Sequence, residues 1–204
     1  AKVDMNLGIA LASRGDLDGA VAAIERAHVV LLRLVTGGRR ELEGQLATVD
    51  MNLGNALHAR GDLDGAVAAY ERARAVLLRL VADGRRELEG ELVKVETNLG
   101  VALASRGDLD GAVAAFGRAR AVLLPLVAEG HPDFEPKLAK VDLNLGIALA
   151  SRGDLDGAVA AFERACAALL RLVAEGRDEL KDDLAKGERL LVTTLADAER
   201  WRTS

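Results

Sequence analysis

RGDLDGAVAA, the stretch from Arg14 to Ala23, decides the fold, because the chain contains the same ten residues three more times. The further copies begin at Arg60, Arg106 and Arg152, so that each starts 46 residues after the one before it. A fixed period of this length is typical of repeat proteins, in which each unit packs mainly on its neighbours. The repeat therefore predicts one array of similar units, and such arrays usually offer an extended surface and seldom an active site.

The composition is that of a well-packed helical protein with few aromatic residues. Of the 204 residues, 50% are hydrophobic and 29% are charged, while only 2% are aromatic. Alanine, leucine and valine must therefore fill the core. The formal net charge of −5 argues against nucleic acid as a partner, because binding to phosphates relies on clustered lysine and arginine.

Two further features bear on where the protein works. The longest mainly apolar stretch is Ala27–Val35, which His28 and Arg33 interrupt. It is far shorter than the roughly 20 residues of a membrane-spanning helix. Cys166 is the only cysteine, so an intramolecular disulfide is impossible and a zinc site is not indicated. These features favour a cytoplasmic protein that does not bind a membrane.

The second copy illustrates the structure of one unit. Its first half carries apolar residues with helical spacing at Leu42, Leu46, Val49, Leu53 and Leu57. Gly61 is suited to the left-handed conformation just past a helix end, and Asp62 is suited to capping the next helix. A second helix then runs to Asp83 and Gly84, and the cycle restarts at Arg85. Each unit is therefore predicted to be two antiparallel helices of about 20 residues, joined by short turns.

Glycine recurs inside the predicted first helix of every unit. The positions are Gly8, Gly54, Gly100 and Gly146. Glycine inside a helix costs roughly 1 kcal/mol relative to alanine. Its recurrence in register predicts that another helix approaches closely at this point.

These residues resemble the signature of the tetratricopeptide repeat. The matching residues in the second unit are Leu53, Gly54, Gly61, Asp62, Ala66, Tyr70 and Ala73, and the other units match at the same places. The resemblance implies an all-α fold, namely a right-handed α-solenoid of antiparallel helix pairs with four repeats and a C-terminal capping helix. The period is longer than the usual one of about 34 residues, as in kinesin-light-chain-type and bacterial signalling arrays.

The period also predicts the domain organisation. Four repeats are expected within residues 1–186, at 1–38 with a truncated first helix, 39–84, 85–130 and 131–176, with 177–186 beginning the last helix. Residues 187–204 are expected to complete that helix, which caps the array with a more polar outer face. Trp201 is expected to pack on the last repeat, and the alternative is that it anchors a partner.

The third and fourth repeats contain prolines that the others lack. Pro125 replaces the arginine of the other repeats well inside a helix, where we expect a kink or an early end. Pro136 is comfortable only within the first turn of a helix, so the next helix is expected to begin near Asp133.

The resemblance implies that one face of each first helix lines a groove that binds peptides or partner segments. The residues carried over to this groove are Lys2, Met5, Ile9, Met51, Asn55, His58, Lys94, Thr97, Val101, Lys140, Leu143 and Ile147. The four repeats differ often on this face, and the second is the most polar. We interpret the face as a mostly apolar groove with a polar spot at Asn55 and His58 and lysines along one edge. The alternative is neutral variation on a tolerant surface.

Other motifs suggest no chemistry. The recurring Arg-Gly-Asp is interpreted as a helix stop followed by a cap, although the tripeptide also occurs as a cell-adhesion motif. His28, His58 and His131 lack metal-ligand spacing, and Cys166 is expected to be a small packing residue. Charged pairs such as Glu71 and Arg72 are expected to mark a solvated face. We predict no enzyme activity, no metal and no cofactor.

The predicted function is that of a non-catalytic scaffold, part of a larger bacterial protein, that binds a protein or peptide partner in the groove. One alternative is a ligand- or peptide-responsive regulatory or sensor arm of a signalling protein. Another is a self-association element, which forms a homodimer or stacks end to end through the incomplete N-terminal repeat.

Overall fold

The computed structural model describes residues 1–203, in which nine α-helices, four short 3-10 turns and no strand are found. The helices are α1 (Lys2–Ser13), α2 (Leu17–Thr36), α3 (Glu43–Arg60), α4 (Leu63–Ala82), α5 (Glu89–Ser105), α6 (Leu109–Ala128), α7 (Glu135–Arg152), α8 (Leu155–Ala174) and α9 (Lys181–Thr203). The all-α fold of paired helices is confirmed. The chain divides after Arg106 into two compact units, of which the first contains α1–α5 and the second contains α6–α9.

Each helix pair is joined by the Gly-Asp turn that the sequence predicts. Gly61 follows α3 in the left-handed conformation, with φ of 87°. The Asp62 carboxylate accepts a hydrogen bond from the backbone N–H of Gly65 at 2.9 Å and so caps α4. Asp16, Asp108 and Asp154 cap α2, α6 and α8 in the same way. The Arg-Gly-Asp motif is therefore confirmed as a helix stop and cap.

The arginine of this motif connects neighbouring repeats. In the first unit, Nη1 of Arg60 lies 3.3 Å from Oδ1 of Asp18, and Nη1 of Arg106 lies 3.1 Å from Oδ1 of Asp64. In the second unit, Arg152 lies 3.1 Å from Asp110. Three of the four Arg-Gly-Asp copies thus have an arginine that pairs with an exposed aspartate of the preceding repeat, and such exposed pairs contribute little to stability.

The entry to each later first helix differs from the prediction. The cycle was expected to restart with a helix at Arg85, but a 3-10 turn at Arg86–Leu88 comes first and α5 begins at Glu89. Gly84 ends the preceding turn with φ of 96°. Tight 3-10 turns are common at the start of α-helices because they position the chain before the regular hydrogen bonds begin. The first helices are shorter than expected for this reason.

The prolines have different outcomes. Pro125 lies inside α6, which has 20 residues like α4 and α8, so the expectation of an early end is wrong. The proline lies only three residues before the last residue of the helix, where few backbone bonds follow it. Pro136 lies in the first turn of α7, as predicted, and a 3-10 turn that begins at Pro132 precedes it.

Close helix approach at the recurring glycine is confirmed within the units. A Cβ atom on Gly54 would lie 2.5 Å from Cε1 of Tyr70, and one on Gly146 would lie 2.5 Å from Cε1 of Phe162. At Gly8, the atom met at 2.5 Å is Cγ1 of Ile24. The residue at the aromatic position of the second helix therefore packs directly against the backbone of the first.

Buried carboxylates join successive repeats, a feature that the sequence interpretation missed. Asp50 on α3 is only 2% exposed. Its Oδ1 lies 2.9 Å from Nε of Arg72 on α4 and 3.1 Å from Nδ1 of His28 on α2. Arg72 therefore does not mark a merely solvated face, because it compensates a charge in the core. Burial raises the pKa of Asp50, since the removal of water outweighs the favourable charge of these partners.

The same arrangement recurs at the next two periods, once in each unit. In the first unit, Glu96 on α5 is 1% exposed and accepts a hydrogen bond from Nε of Arg74 at 2.7 Å. In the second, Asp142 on α7 accepts hydrogen bonds from Arg120 at 3.1 Å and Arg164 at 2.9 Å. Acidic residues occur at the corresponding positions 4, 50, 96, 142 and 188. A cation of one repeat thus binds a buried acid of the next.

The last helix, α9, packs on α8 but leaves apolar side chains uncovered. Its buried residues include Thr194 and Ala198, while Val192 and Leu195 are 68% and 41% exposed. Trp201 is 80% exposed, so it is not buried against the last repeat as expected, although it lines a cavity with Asp154 and Leu155 of that repeat. The capping helix is therefore less polar on its outer face than predicted.

The helix α6 is more apolar than the other helices of its kind, and this bears on the prediction that the chain does not span a membrane. Within residues 1–203, α6 is the helix that length and composition would allow to cross a membrane, with mean hydropathy of 1.5. Its apolar character arises because Gly117 and Pro125 replace the glutamate and arginine of other repeats. Core helices of water-soluble proteins often have the same length and apolar composition.

Candidate functional site

The predicted polar spot on α3 lies at a pocket of the first unit. The pocket has a volume of about 170 Å³ and is lined by Asn55, His58, Tyr70, Asn98 and Val101. Asn55, His58 and Val101 were predicted as groove residues, and the structure brings these three together. Tyr70 from α4 and Asn98 from α5 complete the lining, and neither was predicted as a site residue.

A hydrogen-bond network runs across the floor of this pocket. The hydroxyl of Tyr70 donates to Oδ1 of Asn55 at 2.7 Å, and Nδ2 of Asn98 donates to the same oxygen at 3.0 Å. At the rim, Nε2 of His58 lies 3.3 Å from Oγ of Ser105. The network joins three helices, because Asn55, Tyr70 and Asn98 lie on α3, α4 and α5.

Tyr70 is mostly core, although its hydroxyl reaches the pocket. Its side chain is 3% exposed, and its ring packs on Gly54. Burial raises the pKa of Tyr70 to about 12, because the phenolate would lose its hydration. The phenol therefore stays protonated at neutral pH and keeps donating to Asn55.

The pocket arises from two linked differences between the repeats. Where the second repeat has Asn55, the others have Ile9, Val101 and Ile147, and where it has Tyr70, the others have Ile24, Phe116 and Phe162. The polar residue in the first helix thus occurs only where the aromatic residue of the second carries a hydroxyl. This paired change was visible in the sequence and could have identified Tyr70.

The remaining predicted residues of the first unit lie apart from this pocket. Lys2 and Met5 line a second cavity of about 260 Å³ together with Leu31, Thr48 and other residues of α1–α3. Ile9 is 47% exposed on α1. Met51 and Thr97 are half-buried, and the hydroxyl of Thr97 donates to the backbone carbonyl of Val93. Lys94 is exposed and lies 2.7 Å from Glu91.

In the second unit, the predicted groove residues are only partly accessible. Lys140 is exposed, with Nζ 3.6 Å from Asp183 on α9. Ile147 is half-buried. Leu143 is 2% exposed, and its Cδ2 lies close to Gly187 of α9. Leu143 therefore cannot line an open groove, because α9 covers it.

Three observations bear on catalytic and metal chemistry in the part of the chain that the structure describes. No group of three or more His, Cys, Asp or Glu side chains that could hold a metal occurs among these residues. His58 and Ser105 are adjacent, but no carboxylate bonds to the imidazole within residues 1–203, so the orienting group of a catalytic triad is not found there. Burial and nearby Glu188 raise the pKa of the half-buried Cys166 thiol, which disfavours the reactive thiolate.

Comparison with known proteins agrees with this architecture. One sequence model of the tetratricopeptide repeat matches residues 97–169, and a second matches residues 1–26 and 47–72. Together these segments include more than half of the chain. No curated protein sequence matches the chain.

Three solved structures extend the comparison over most of the chain. BtubC (BKLC) from P. vanneervenii is 27% identical, with a TM-score of 0.70 over 86% of this chain and 64% of that chain. The apo form of RapI is 14% identical, with a TM-score of 0.74 over 96% of this chain and 48% of that chain. A P. anserina protein described as a kinesin light chain with nearly identical TPR-like repeats is 17% identical, with a TM-score of 0.64 over 98% of this chain and 96% of that chain. The chain thus spans about two thirds of BtubC and half of RapI.

Proposed function

Since the chain belongs to the tetratricopeptide repeat family, we propose that it is a scaffold that binds an extended protein segment along its first helices. Proteins with these repeats are generally non-catalytic scaffolds for protein–protein interaction. The observation that carries the proposal for this chain is the polar pocket at Asn55, on the face that the family resemblance assigns to partner binding. A cytoplasmic location and the absence of nucleic acid and membrane partners belong to the same proposal.

The pocket supports binding because packing alone does not require it. The other repeats fill the corresponding positions with apolar pairs such as Ile147 and Phe162. Asn55 is exposed, although it accepts a hydrogen bond from a buried phenol. A polar group at this position adds nothing to the hydrophobic core, and it supplies the directional bonds by which binding surfaces select partners.

Exposed neighbours extend the surface along the first helices of the first unit. Ile9 and Val101 are 47% and 37% exposed, and Lys2 and Lys94 present charged groups on α1 and α5. An apolar surface with a few placed polar groups is typical of ligand sites. The partner segment would therefore combine apolar side chains with at least one polar side chain.

Self-association is a second candidate, supported by a different surface. Val3 and Leu7 on α1 are 80% and 44% exposed, whereas their counterparts Val49 and Leu53 are 1% and 5% exposed. Exposed apolar groups at adjacent turns of a helix favour association. This candidate predicts a homodimer or end-to-end stack through α1.

Selection of peptides from a displayed random library tests the scaffold function. Peptides selected on the intact chain would be measured by calorimetry against Asn55→Ala with His58→Ala. Loss of two polar contacts is expected to weaken binding by about 1–3 kcal/mol, which is roughly 5- to 150-fold. Glu25→Ala, on the exposed part of α2, is the matched control and should bind normally. Equal binding by the double variant would contradict the proposed groove.

A further inference from the structure

We propose that a cavity beside Trp201, at the turn between α7 and α8, binds the guanidinium group of an arginine side chain from a protein partner. None of the predicted groove residues takes part, so the site is separate from the proposed scaffold groove. The cavity has a volume of about 250 Å³. Its lining consists of Gly153, Asp154, Leu155, Asp156, Ala198 and Trp201.

An arginine of the chain itself occupies the corresponding place at each of the three earlier junctions between repeats. It lies at the end of a first helix and reaches an aspartate in the first turn of the preceding second helix. In each pair, Nη1 of the arginine lies 3.1–3.3 Å from Oδ1 of the aspartate. The pairs are Arg60 with Asp18, Arg106 with Asp64, and Arg152 with Asp110. The aspartate at this position of the repeat is therefore a guanidinium ligand wherever the arginine is present.

Ala198 stands in the place of this arginine at the last junction. It follows Arg152 by 46 residues, lies on α9 and is only 5% exposed. Asp156 keeps the position of the aspartate, in the first turn of α8. The methyl group of alanine fills only a small part of the volume of an arginine side chain, and the cavity lies at this point. The last junction therefore retains the aspartate and has space where the other junctions have a guanidinium group.

Trp201 gives this cavity an aromatic surface that the earlier junctions lack. Leucine occupies the corresponding positions, which are Leu63, Leu109 and Leu155. The side chain of Trp201 is 80% exposed, so its indole is accessible to a ligand. A guanidinium group stacks on an indole because it is planar and because the π electrons attract its charge. A carboxylate and an indole in one cavity thus favour arginine over lysine and over any neutral side chain.

The two carboxylates of the cavity are engaged to different extents. Asp154 accepts hydrogen bonds from the backbone N–H of Gly157 at 3.0 Å and from Nη2 of Arg152 at 3.1 Å, so the chain already compensates its charge. Asp156 is exposed and also has a contact within the chain. An ionised carboxylate has about four acceptor positions, so Asp156 can accept a guanidinium N–H group in addition to that contact. Asp156 is therefore the main anion of the proposed site.

Trp201 is also a built-in reporter, because it is the only tryptophan of the chain. The intact protein would be titrated with blocked amino acids at low ionic strength, and the tryptophan fluorescence would be recorded. N-acetylarginine methylamide offers a guanidinium group, N-acetyllysine methylamide offers an ammonium group, and N-acetylcitrulline methylamide has nearly the shape of the arginine compound without its charge.

The arginine compound is expected to change the fluorescence saturably and to bind more tightly than the citrulline compound by roughly fivefold or more. The lysine compound should bind more weakly than the arginine compound, because an ammonium group lacks the planar fork. Citrulline binding as tight as arginine binding would overturn the inference. Lysine binding as tight as arginine binding would overturn the assignment of the site to a guanidinium group.

Two substitutions test the site itself, with circular dichroism as the check that each variant is folded. Ala198→Arg restores the residue of the earlier junctions and should fill the cavity from within, so binding of the arginine compound should fall by roughly fivefold or more. Asp156→Asn removes the charge at nearly constant size and should weaken binding to a similar extent. Asp64→Asn, at the same position of the second repeat, is the matched control and should bind normally. Undiminished binding by Ala198→Arg or by Asp156→Asn would overturn the inference.

Arg200 and Arg202 follow Ala198 closely in the sequence, so their effect is measured separately. The parent chain and a variant with Arg200→Gln and Arg202→Gln should both bind the arginine compound. Binding by the variant but not by the parent chain would mean that the chain fills its own cavity, which would overturn the inference. Because none of these substitutions touches a groove residue, the outcome is independent of the peptide selection that tests the scaffold function.

Discussion

Substitution of Gly146 by alanine tests the contact between the two helices of the fourth repeat. Gly146 lies inside α7, directly against the ring of Phe162 on α8. The added Cβ would lie 2.5, 2.7 and 2.9 Å from three carbon atoms of that ring. Phe162 is fully buried, so its ring has no solvent into which it can move. Alanine should therefore force the two helices apart.

The size of the effect follows from two opposing contributions. Carbon atoms normally pack at about 3.5–4.0 Å, so roughly 1 Å must be recovered by displacement of the ring or helix. Overpacking of this kind costs roughly 1–3 kcal/mol. Alanine also favours the helix over glycine by roughly 1 kcal/mol, which partly offsets the clash. We therefore expect Gly146→Ala to be neutral or destabilising by up to about 2 kcal/mol.

Gly117→Ala is the matched control because it isolates the helical contribution. Gly117 lies on the exposed side of α6, and a Cβ there would meet nothing within 4 Å. This variant should be stabilised by up to roughly 1 kcal/mol. The difference between the two variants then reports the clash alone, about 1–3 kcal/mol. At roughly 2–4 °C per kcal/mol for a chain of this size, their Tm values should differ by several degrees.

Thermal unfolding followed by far-UV circular dichroism would measure both variants against the parent chain. Because repeat arrays can unfold in stages, the comparison uses the midpoint and shape of the whole transition. Equal stabilisation by both substitutions would refute the close contact between Gly146 and Phe162. It would mean that the recurring glycine has a role other than helix approach.

Further predictions concern charge, ionisation and association. Arg74→Ala removes a partner of a carboxylate that is 1% exposed and should cost on the order of 3 kcal/mol in urea unfolding, whereas Arg85→Ala, in an exposed pair, should leave the midpoint nearly unchanged. Burial raises the pKa of Asp50, so the stability that this carboxyl contributes is present below its ordinary pKa of 3.8 and is lost as the pH rises through the raised pKa. The parent chain should therefore lose stability relative to Asp50→Asn as the pH rises from 3.8 through the raised pKa. Parallel pH profiles of stability for the two chains would contradict this prediction. The phenol of Tyr70 should titrate with a pKa of about 12 by phenolate absorbance, and the stability that it contributes below pH 10 should be lost as the pH rises through 12; titration near pH 10 in the folded chain would show that the phenol is not buried. Val3→Glu should reduce any concentration-dependent association in sedimentation velocity, and purely monomeric behaviour of the parent chain at high concentration would exclude the self-association candidate.

Local rules in the sequence predicted the helix pairs well. Gly61 and Asp62 determine their own conformations, because a left-handed glycine and a capping carboxylate act within a few residues. The position of Pro136 follows in the same way from its missing N–H group. The 3-10 turns were missed because they depend on small differences in backbone energy that residue patterns do not reveal. The exposure of Trp201 was missed because burial depends on tertiary contacts.

The candidate site was predicted only in part, for a related reason. Asn55 and His58 stood out because the other repeats have different residues at these positions, on the face that the resemblance assigns to partner binding. Tyr70 was assigned to the core from its aromatic position, and that assignment is correct for its ring. Its hydroxyl belongs to the pocket because α3 and α4 are close enough for a bond of 2.7 Å. A contact of this kind becomes apparent in the sequence only when two columns of the repeat are compared together.

The buried carboxylates have a consequence for how such a protein can change its length. Acid and cation recur with the same period as the helices, so duplication or deletion of a whole period would again place a cation opposite each acid. An insertion or deletion of one or two helical residues would instead leave Asp50 or Glu96 buried beside an apolar neighbour, at a cost of several kcal/mol. The ion pairs therefore form only when the spacing between repeats is kept. This requirement permits recombination between repeats in complete units and penalises changes that are out of phase.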